Sequence, residues 1–379
     1  MVRARFSDAA RPGVAGAVDR LLADADALTE GRWSVEATPP AAEPDFYLGV
    51  LRLQLRYLAR AAPPALAAVR GMLRLLSDGP RSDVHSATAA VGLYEERTIR
   101  ASLTAFADGI PRCAAPGSAR LCSLPPPATG AVTGLDLALA AERLIRREAG
   151  RLGPQRLIAA LRERPTLPLI AGCYVEQWHL TCRFPEFVAP MLSKRLDPEL
   201  RRRMFDYLGE EIGHDRMERD SCLSIGLMAG ELDAALPLPL CMAFADAMTH
   251  LAETDSLGYL LSIMVAEGLM GDDFRIGALL GQQLRRLGYR DPEGARRHDE
   301  TNAELNHTGI VRQVMRGIPA IAPAAQDRAL SNLMLMLELN RRGWDAVLDF
   351  YGKEGPVVHH GWLSARVAST GACNASSSP

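Results

Sequence analysis

A helical pattern rich in Leu, Ala, Arg and Glu runs from Leu135 to about Tyr351, and this feature most limits the possible folds. Its breaks coincide with prolines placed where a helix would begin, the position at which proline's missing N–H costs least. These prolines stand in Gly153-Pro154, Pro165, Asp197-Pro198 and Asp291-Pro292. Long alternating runs of Val, Ile and Thr are absent, as is the glycine fingerprint of a doubly wound sheet. The sequence therefore predicts an all-α protein.

The helical pattern continues on both sides of a stretch that cannot itself be helical. Residues 109–134, GIPRCAAPGSARLCSLPPPATGAVTG, are dense in Pro, Gly, Ser and Ala and form a boundary or a long connection. Helices are predicted at 16–30, 46–77, 84–107, 135–150, 154–163, 166–192, 197–228, 231–233 into 238–255, 256–285, 292–316 and 325–350. We therefore expect an N-terminal helical region with its connection at 1–134, a helical domain at 135–352 and a partly disordered polar tail at 353–379.

Charge and cysteine usage exclude several classes of function. The net charge is −2, so no global field favours nucleic acid or an anionic membrane as a partner. No run of eighteen apolar residues occurs, and the first residues, MVRARFSDAARPG, do not contain the apolar core of a signal peptide. The seven cysteines are scattered without a C-x-x-C pair, which argues against a zinc ribbon or a thioredoxin-type site. We expect a cytoplasmic protein with reduced thiols and no membrane span.

Three Glu-x-x-His pairs are the motif that carries chemistry, and all three fall in predicted helices. They are Glu176/His179, Glu211/His214 and Glu304/His307. Residues three apart share one face of a helix, so each pair can present a carboxylate and an imidazole to one metal ion. Helical carboxylate di-iron sites need a Glu from each of two helices and a Glu-x-x-His from each of two others. The chain supplies these residue types in the order Glu176, Glu211/His214, Glu267 and Glu304/His307, each on its own predicted helix.

The residues also allow simpler interpretations. The pair Glu211/His214 alone is compatible with a solvated helix face, and His179 alone with a packed histidine. Glu267 lies in an apolar run, LLSIMVAEGLM, where its charge needs a partner, either an arginine or a metal ion. Carboxylate and imidazole ligands without cysteine suit iron or manganese better than structural zinc. Two-metal hydrolases are a competitor, although they usually present Asp-rich loops on α/β scaffolds.

Two segments resemble the heme-oxygenase-like di-iron oxidases, which are related to the TenA-like and PqqC-like helical proteins. They are YVEQWHLTCRFPEFVAPML at 174–192 and LDPELRRRMFDYLGEEIGHDRMERDSCLSIGL at 196–227. The resemblance spans about 150–350 and implies a heme-oxygenase-like helical bundle. It implies metal ligands at Glu211, His214, Glu267, Glu304 and His307, with Glu300 and Glu176 as further candidates. In ETNAELNH the first ligand position of relatives is more often His and the second often Asp, so this chain departs by using Glu300 and Glu304.

The resemblance also implies a reaction. Such proteins bind two ferrous ions, activate O₂ as co-substrate and oxidise a small molecule, often amino-acid-like or fatty-acid-like, by N-oxygenation, desaturation or C–C cleavage. We expect such a biosynthetic role, an external electron donor and a homodimer, with the N-terminal region as a dimerisation or lid module. Asp215, Asn306 and Arg216 are candidates for orienting the histidine ligands. Two alternatives stay open: a ferritin-like di-iron protein, or a metal-free small-molecule-binding protein of the TenA-like or PqqC-like type.

Overall fold

The computed structural model describes only part of the chain. The described residues are 12–30, 43–61, 66–67, 69–71, 73–74, 101–103, 105–106, 109–110, 125–153, 155–268, 276–289, 294, 297 and 307–352. Within them, the ordered elements are helices and no strand occurs, although an isolated antiparallel bridge pairs Val132 with Ile321. The predicted all-α class is therefore confirmed. In this described part, no helix has the length and apolar character needed to cross a membrane.

The helices follow the chain in the order α1 to α14. They are α1 Pro12–Thr29, α2 Glu43–Ala61, α3 Gly134–Leu152, α4 Arg156–Glu163, α5 Leu167–Thr181, α6 Phe184–Leu192, α7 Pro198–Glu211, α8 His214–Ser224, α9 Ala229–Ala234, α10 Pro239–Thr254, α11 Ser256–Ala266, α12 Ile276–Arg286, α13 His307–Met315 and α14 Pro323–Tyr351. Proline stands where the sequence predicts it at the start of α7, because Asp197 caps the helix and Pro198 is its first residue.

The chain divides into two compact units. The first takes its described residues from the first 121 positions and from Leu236–Ala247, and the second takes them from Cys122–Ala235 and Met248–Val358. The sequence predicts a boundary within 109–134. It does not predict that Leu236–Ala247, far beyond that boundary, belongs to the first unit. In that unit α1 packs against α2, and buried Asp246 accepts hydrogen bonds from Gln54 (2.9 Å) and Ser102 (3.0 Å).

The second unit is built around α14, which packs most extensively against α11 and also against α3, α4 and α5. Helix α11, SLGYLLSIMVA, is apolar on all sides, and its residues 258–265 are all buried. Helix α5 is similarly apolar and packs against α8 and α12 as well. A helix that is apolar all round belongs inside a helical layer, so α5 and α11 form the interior against which the amphipathic helices pack.

Three predicted helices are each interrupted in the structure. The predicted helix 166–192 breaks at Cys182 and Arg183, 197–228 at Ile212 and Gly213, and 256–285 after Ala266. Two of the breaks contain a glycine in the left-handed region, Gly213 with φ 100° and Gly268 with φ 75°. A single left-handed residue ends a helix without disturbing the apolar periodicity around it, so the pattern alone continues the helix through the break.

Gly172 allows the end of α14 to lie directly on α5. A Cβ atom at this position would be 2.2 Å from Cγ and 2.7 Å from Cβ of Tyr351, far inside van der Waals contact. The Tyr351 side chain is buried, and its Cβ cannot withdraw without moving the backbone of α14. The absence of a side chain at Gly172 is therefore a packing requirement.

We expect Gly172→Ala to lower the free energy of unfolding by about 1–3 kcal/mol, the usual penalty for overpacking a core. Gly150→Ala is the matched control, since Gly150 is an exposed helical glycine with open space around its Cβ position. It should raise the stability by about 0.5–1 kcal/mol because alanine favours the helix. Urea unfolding of both variants measures the difference, and equal stabilities would show that α14 does not rest on α5 in this way.

The break between α7 and α8 offers a second test. Gly213→Ala should destabilise the protein by about 1–2 kcal/mol, because a side chain is strained at φ 100° even though the space is open. Gly209, four residues earlier in α7, also has open space but a helical backbone, so Gly209→Ala should stabilise the protein slightly. Thermal and urea unfolding compare the two variants, and a neutral Gly213→Ala would contradict the left-handed turn.

Candidate metal centre

Glu211 and His214 meet across the break between α7 and α8. Glu211 is the last residue of α7 and His214 is the first residue of α8. Glu211 Oε2 lies 2.6 Å from His214 Nδ1. The two side chains are only 8% and 1% exposed, whereas Ile212 between them is 70% exposed. The turn therefore directs an apolar side chain outward and an acid and an imidazole inward, so the pair is not part of a solvated helix face.

This geometry corrects the expectation that the pair shares one continuous helix. Ile212 is extended (ψ 119°) and Gly213 is left-handed, so the three-residue spacing works through a turn and not through helical periodicity. As His214 is the first residue of α8, the positive end of that helix dipole lies beside the Glu211 carboxylate and stabilises its negative charge.

Glu267 reaches the same region from α11. It caps the C-terminus of that helix and is followed by left-handed Gly268, so it is not within a helix as the sequence predicts. Tyr207 Oη donates a hydrogen bond to Glu267 Oε1 (2.5 Å). Tyr207 lies one turn before Glu211 on α7, and residues four apart share a helix face. Tyr207 therefore connects the carboxylate of Glu267 to the helix that carries Glu211.

The charges of Glu211 and Glu267 affect the pKa values of two buried tyrosines, Tyr207 and Tyr259. Burial raises the pKa of Tyr207 well above its ordinary value, and the charges of Glu267 and Glu211 raise it further. Burial followed by the same two carboxylates raises the pKa of Tyr259 on α11. Both phenols therefore keep their protons at neutral pH. The Tyr259 hydroxyl has no hydrogen-bond partner among the described residues, in contrast to that of Tyr207.

The structure describes the positions of only some of the other predicted ligands. Glu176 is buried on α5, where its Oε1 accepts a hydrogen bond from Tyr351 Oη (3.1 Å). Burial, followed by the charge of Glu176, raises the pKa of the Cys173 thiol. Glu300 and Glu304 lie outside the described residues. His307 is the first residue of α13, which packs against α11, but its side chain also lies outside the description.

The structure thus places Glu211 and Glu267 near the same two tyrosines, with His214 in contact with Glu211. The tyrosines were not among the sequence candidates, although the spacing of Tyr207 and Glu211 places them on one helix face. Of the residues expected to orient the histidines, Arg216 is exposed, Asp215 is half-buried, and Asn306 lies outside the described residues. These orienting roles stay predictions.

The donor set fits a metal ion of the kind that the sequence predicts. Carboxylate oxygens and an imidazole nitrogen suit iron or manganese. Glu211 Oε2 and His214 Nδ1 already point at one another, and an ion held by both would replace their direct hydrogen bond. In the described part of the chain, no group of three or more His, Cys, Asp and Glu side chains is arranged to hold a metal. The full ligand set is therefore a prediction that involves 300–307.

Comparisons with known proteins address the family. Residues 173–341 match the family model described as iron-containing redox enzyme. A solved structure, described as a domain of unknown function with a heme oxygenase-like fold from Shewanella denitrificans OS217, is 18% identical and has a TM-score of 0.46. That match covers 56% of this chain and 93% of the other chain, and its TM-score is too low to support a conclusion. No curated protein matches significantly.

The family match contains Glu211, His214 and Glu267, together with all of α11 and α13. It supports the resemblance carried by the segments 174–192 and 196–227. Residues 173–341 are therefore similar to the family of iron-containing redox enzymes, which supports the resemblance to the heme-oxygenase-like proteins.

Proposed function

We propose that this protein is a non-haem di-iron oxidase that uses O₂ to oxidise a small metabolite in a biosynthetic pathway. The family of its 173–341 segment indicates an iron-containing oxidoreductase, which is the coarser part of this statement. The two-iron centre, the use of O₂ and an amino-acid-like or fatty-acid-like substrate are the parts that we add. The reaction would be an N-oxygenation, a desaturation or a C–C cleavage.

The buried pair of Glu211 and His214 carries the proposal. The carboxylate and the imidazole are in direct contact at 2.6 Å, and both are nearly inaccessible to solvent. One turn thus places two types of metal ligand where a single ion could bind both. Glu267 brings a second carboxylate from α11, and its charge and that of Glu211 act on the same two phenols. Concentrating negative charge in this way is costly inside a bundle unless a cation compensates it.

In this proposal the bound ions and the surrounding side chains have different roles. Bound ferrous ions would supply the electrons that reduce O₂. Glu211, His214 and Glu267 would hold the ions, with Glu304 and His307 as further ligands and Glu300 and Glu176 as candidates. The burial of α5 and α11 excludes water from this part of the second unit. Tyr207 keeps its proton at Oη and donates it in a hydrogen bond to Glu267.

The proposal has implications for partners. A small-molecule substrate and an external electron donor follow from an oxidase that must be reduced again after each turnover. A homodimer and a cytoplasmic location are part of the same proposal, and so is a dimerisation or lid role for 1–134. A net charge of −2 does not favour nucleic acid as a partner.

One observation favours a second candidate, a metal-free helical protein that binds a small molecule. Glu211 contacts Nδ1 of His214, and Glu267 accepts a hydrogen bond from Tyr207, so protein atoms already partner both carboxylates. Such a cluster can bind an organic ligand without a metal ion. A ferritin-like bundle fits less well, because its Glu-x-x-His motifs project inward from its helices whereas this pair spans a break.

Anaerobic loading with Fe(II) tests the proposal. We expect about two iron ions per full-length chain, followed by O₂ consumption and a transient visible absorbance on mixing with O₂. Iron content measured after desalting, together with stopped-flow absorbance, provides the readout. A protein that binds no iron and consumes no O₂ would establish the metal-free alternative.

Glu211→Gln should reduce the bound iron to about one ion or fewer, because an amide replaces a ligating carboxylate. His214→Ala should do the same. The matched control is Glu210→Gln, which changes the neighbouring residue on a side turned by about 100° around the helix. If Glu210→Gln and Glu211→Gln lose iron equally, the assignment of Glu211 as a ligand is wrong.

A further inference from the structure

The contact between Tyr207 and Glu267 suggests a role that the proposed ligand set does not include. The phenol oxygen lies 2.5 Å from Oε1 of the carboxylate, the short distance that hydrogen bonds to charged acceptors have. A neutral phenol can only donate to an ionised carboxylate, so the direction of this bond is fixed. The bond thus engages one of the two oxygens of Glu267.

We propose that Tyr207 is a positioning residue that holds Glu267 in its metal-binding orientation. By engaging Oε1, the phenol fixes the plane of the carboxylate and so the direction in which Glu267 would face an ion. This inference rests on the proposed function, because it assigns Tyr207 a role only where Glu267 binds a metal. Carboxylate ligands are commonly held in place by such hydrogen bonds from neighbouring residues.

The position of Glu267 explains why such support is needed. Glu267 is the cap of α11 and not a residue within it, and Gly268 after it is left-handed. A side chain at a helix end has fewer neighbours on its own helix than one in the middle of a helix. Tyr207, by contrast, is in the third turn of α7 and 1% exposed, so its hydroxyl position is set by packing. The rigid residue therefore orients the less constrained one.

Aromatic packing fixes the Tyr207 ring independently of its hydroxyl. The Phe184 ring meets it edge-to-face, with centroids 5.0 Å apart and planes at 79°. Removing only the hydroxyl should therefore leave the ring in place. Tyr207→Phe isolates the hydrogen bond from the packing, and this separates a positioning role from a structural one.

Tyr259 provides the matched control. It is also a fully buried tyrosine beside Glu267 and Glu211, but its hydroxyl makes no hydrogen bond with the residues that the structure describes. Tyr259→Phe removes an equivalent atom from the same surroundings without releasing a carboxylate. The comparison of Tyr207→Phe with Tyr259→Phe therefore reports the hydrogen bond alone.

The experiment is a Co(II) titration of the full-length apoprotein, followed by calorimetry and by the visible ligand-field absorption of Co(II). Tyr207→Phe should weaken the binding of at least one ion by about 10- to 100-fold and change the absorption, as loss of a residue that orients a ligand does. Tyr259→Phe should change the affinity by less than about twofold. Urea unfolding of the apoproteins checks that both variants are folded.

A double-mutant cycle tests whether Tyr207 acts through Glu267. In the Glu267→Gln background, adding Tyr207→Phe should cause less than about a twofold further loss of Co(II) affinity, because the carboxylate that it positions is gone. An undiminished loss in that background would overturn the inference.

The possible failures are distinguishable. If the wild-type protein binds Co(II) and Tyr207→Phe binds it equally well, Tyr207 is not a positioning residue while the metal centre stands. If the wild-type protein binds no Co(II) and no Fe(II), the proposed function itself is wrong, and the role of Tyr207 is wrong with it.

Discussion

Carboxylates buried inside a helical bundle must be compensated, and this constraint organises the second unit. Several buried glutamates there are paired with arginines. These pairs are Glu148 with Arg147 and Arg151, Glu338 with Arg341 and Arg342, and Glu142 with Arg312. Removing every arginine partner of such an acid would leave a buried charge uncompensated. At the candidate centre the contacts are of another kind, with an imidazole for Glu211 and a phenol for Glu267. A metal ion bound at the centre would add positive charge there, as the arginines do for the three other glutamates.

Backbone breaks produce this arrangement as much as helices do. Glu211 ends α7, His214 begins α8 and Glu267 caps α11. Side chains at helix ends point in directions that a continuous helix does not offer, and a left-handed glycine supports each of the two breaks. The helices provide a rigid frame, and the polar side chains of the candidate centre lie at the ends of these helices.

Much of this could be predicted from the sequence. The all-α class follows from the helical periodicity, and the start of α7 follows from Asp197-Pro198 because capping chemistry is local. The Glu-x-x-His motif identifies Glu211 and His214, although for a reason that is only partly right, since their proximity comes from a turn. The contact between Tyr207 and Glu267 could not be predicted, because it joins residues sixty positions apart, and periodicity carries no information about which helices are neighbours. The close approach of Gly172 and Tyr351 could not be predicted either, because it also depends on which helices are neighbours.

The exposure of Ile212 has a consequence for how a centre of this kind would be filled. A residue that is 70% exposed lies directly between two side chains that are almost inaccessible. The backbone of the turn that carries Glu211 and His214 therefore lies at the surface, although both of these side chains are directed inward. Local opening of a turn takes far less free energy than unfolding a bundle. An ion that entered at this side would pass the turn of Ile212 and Gly213.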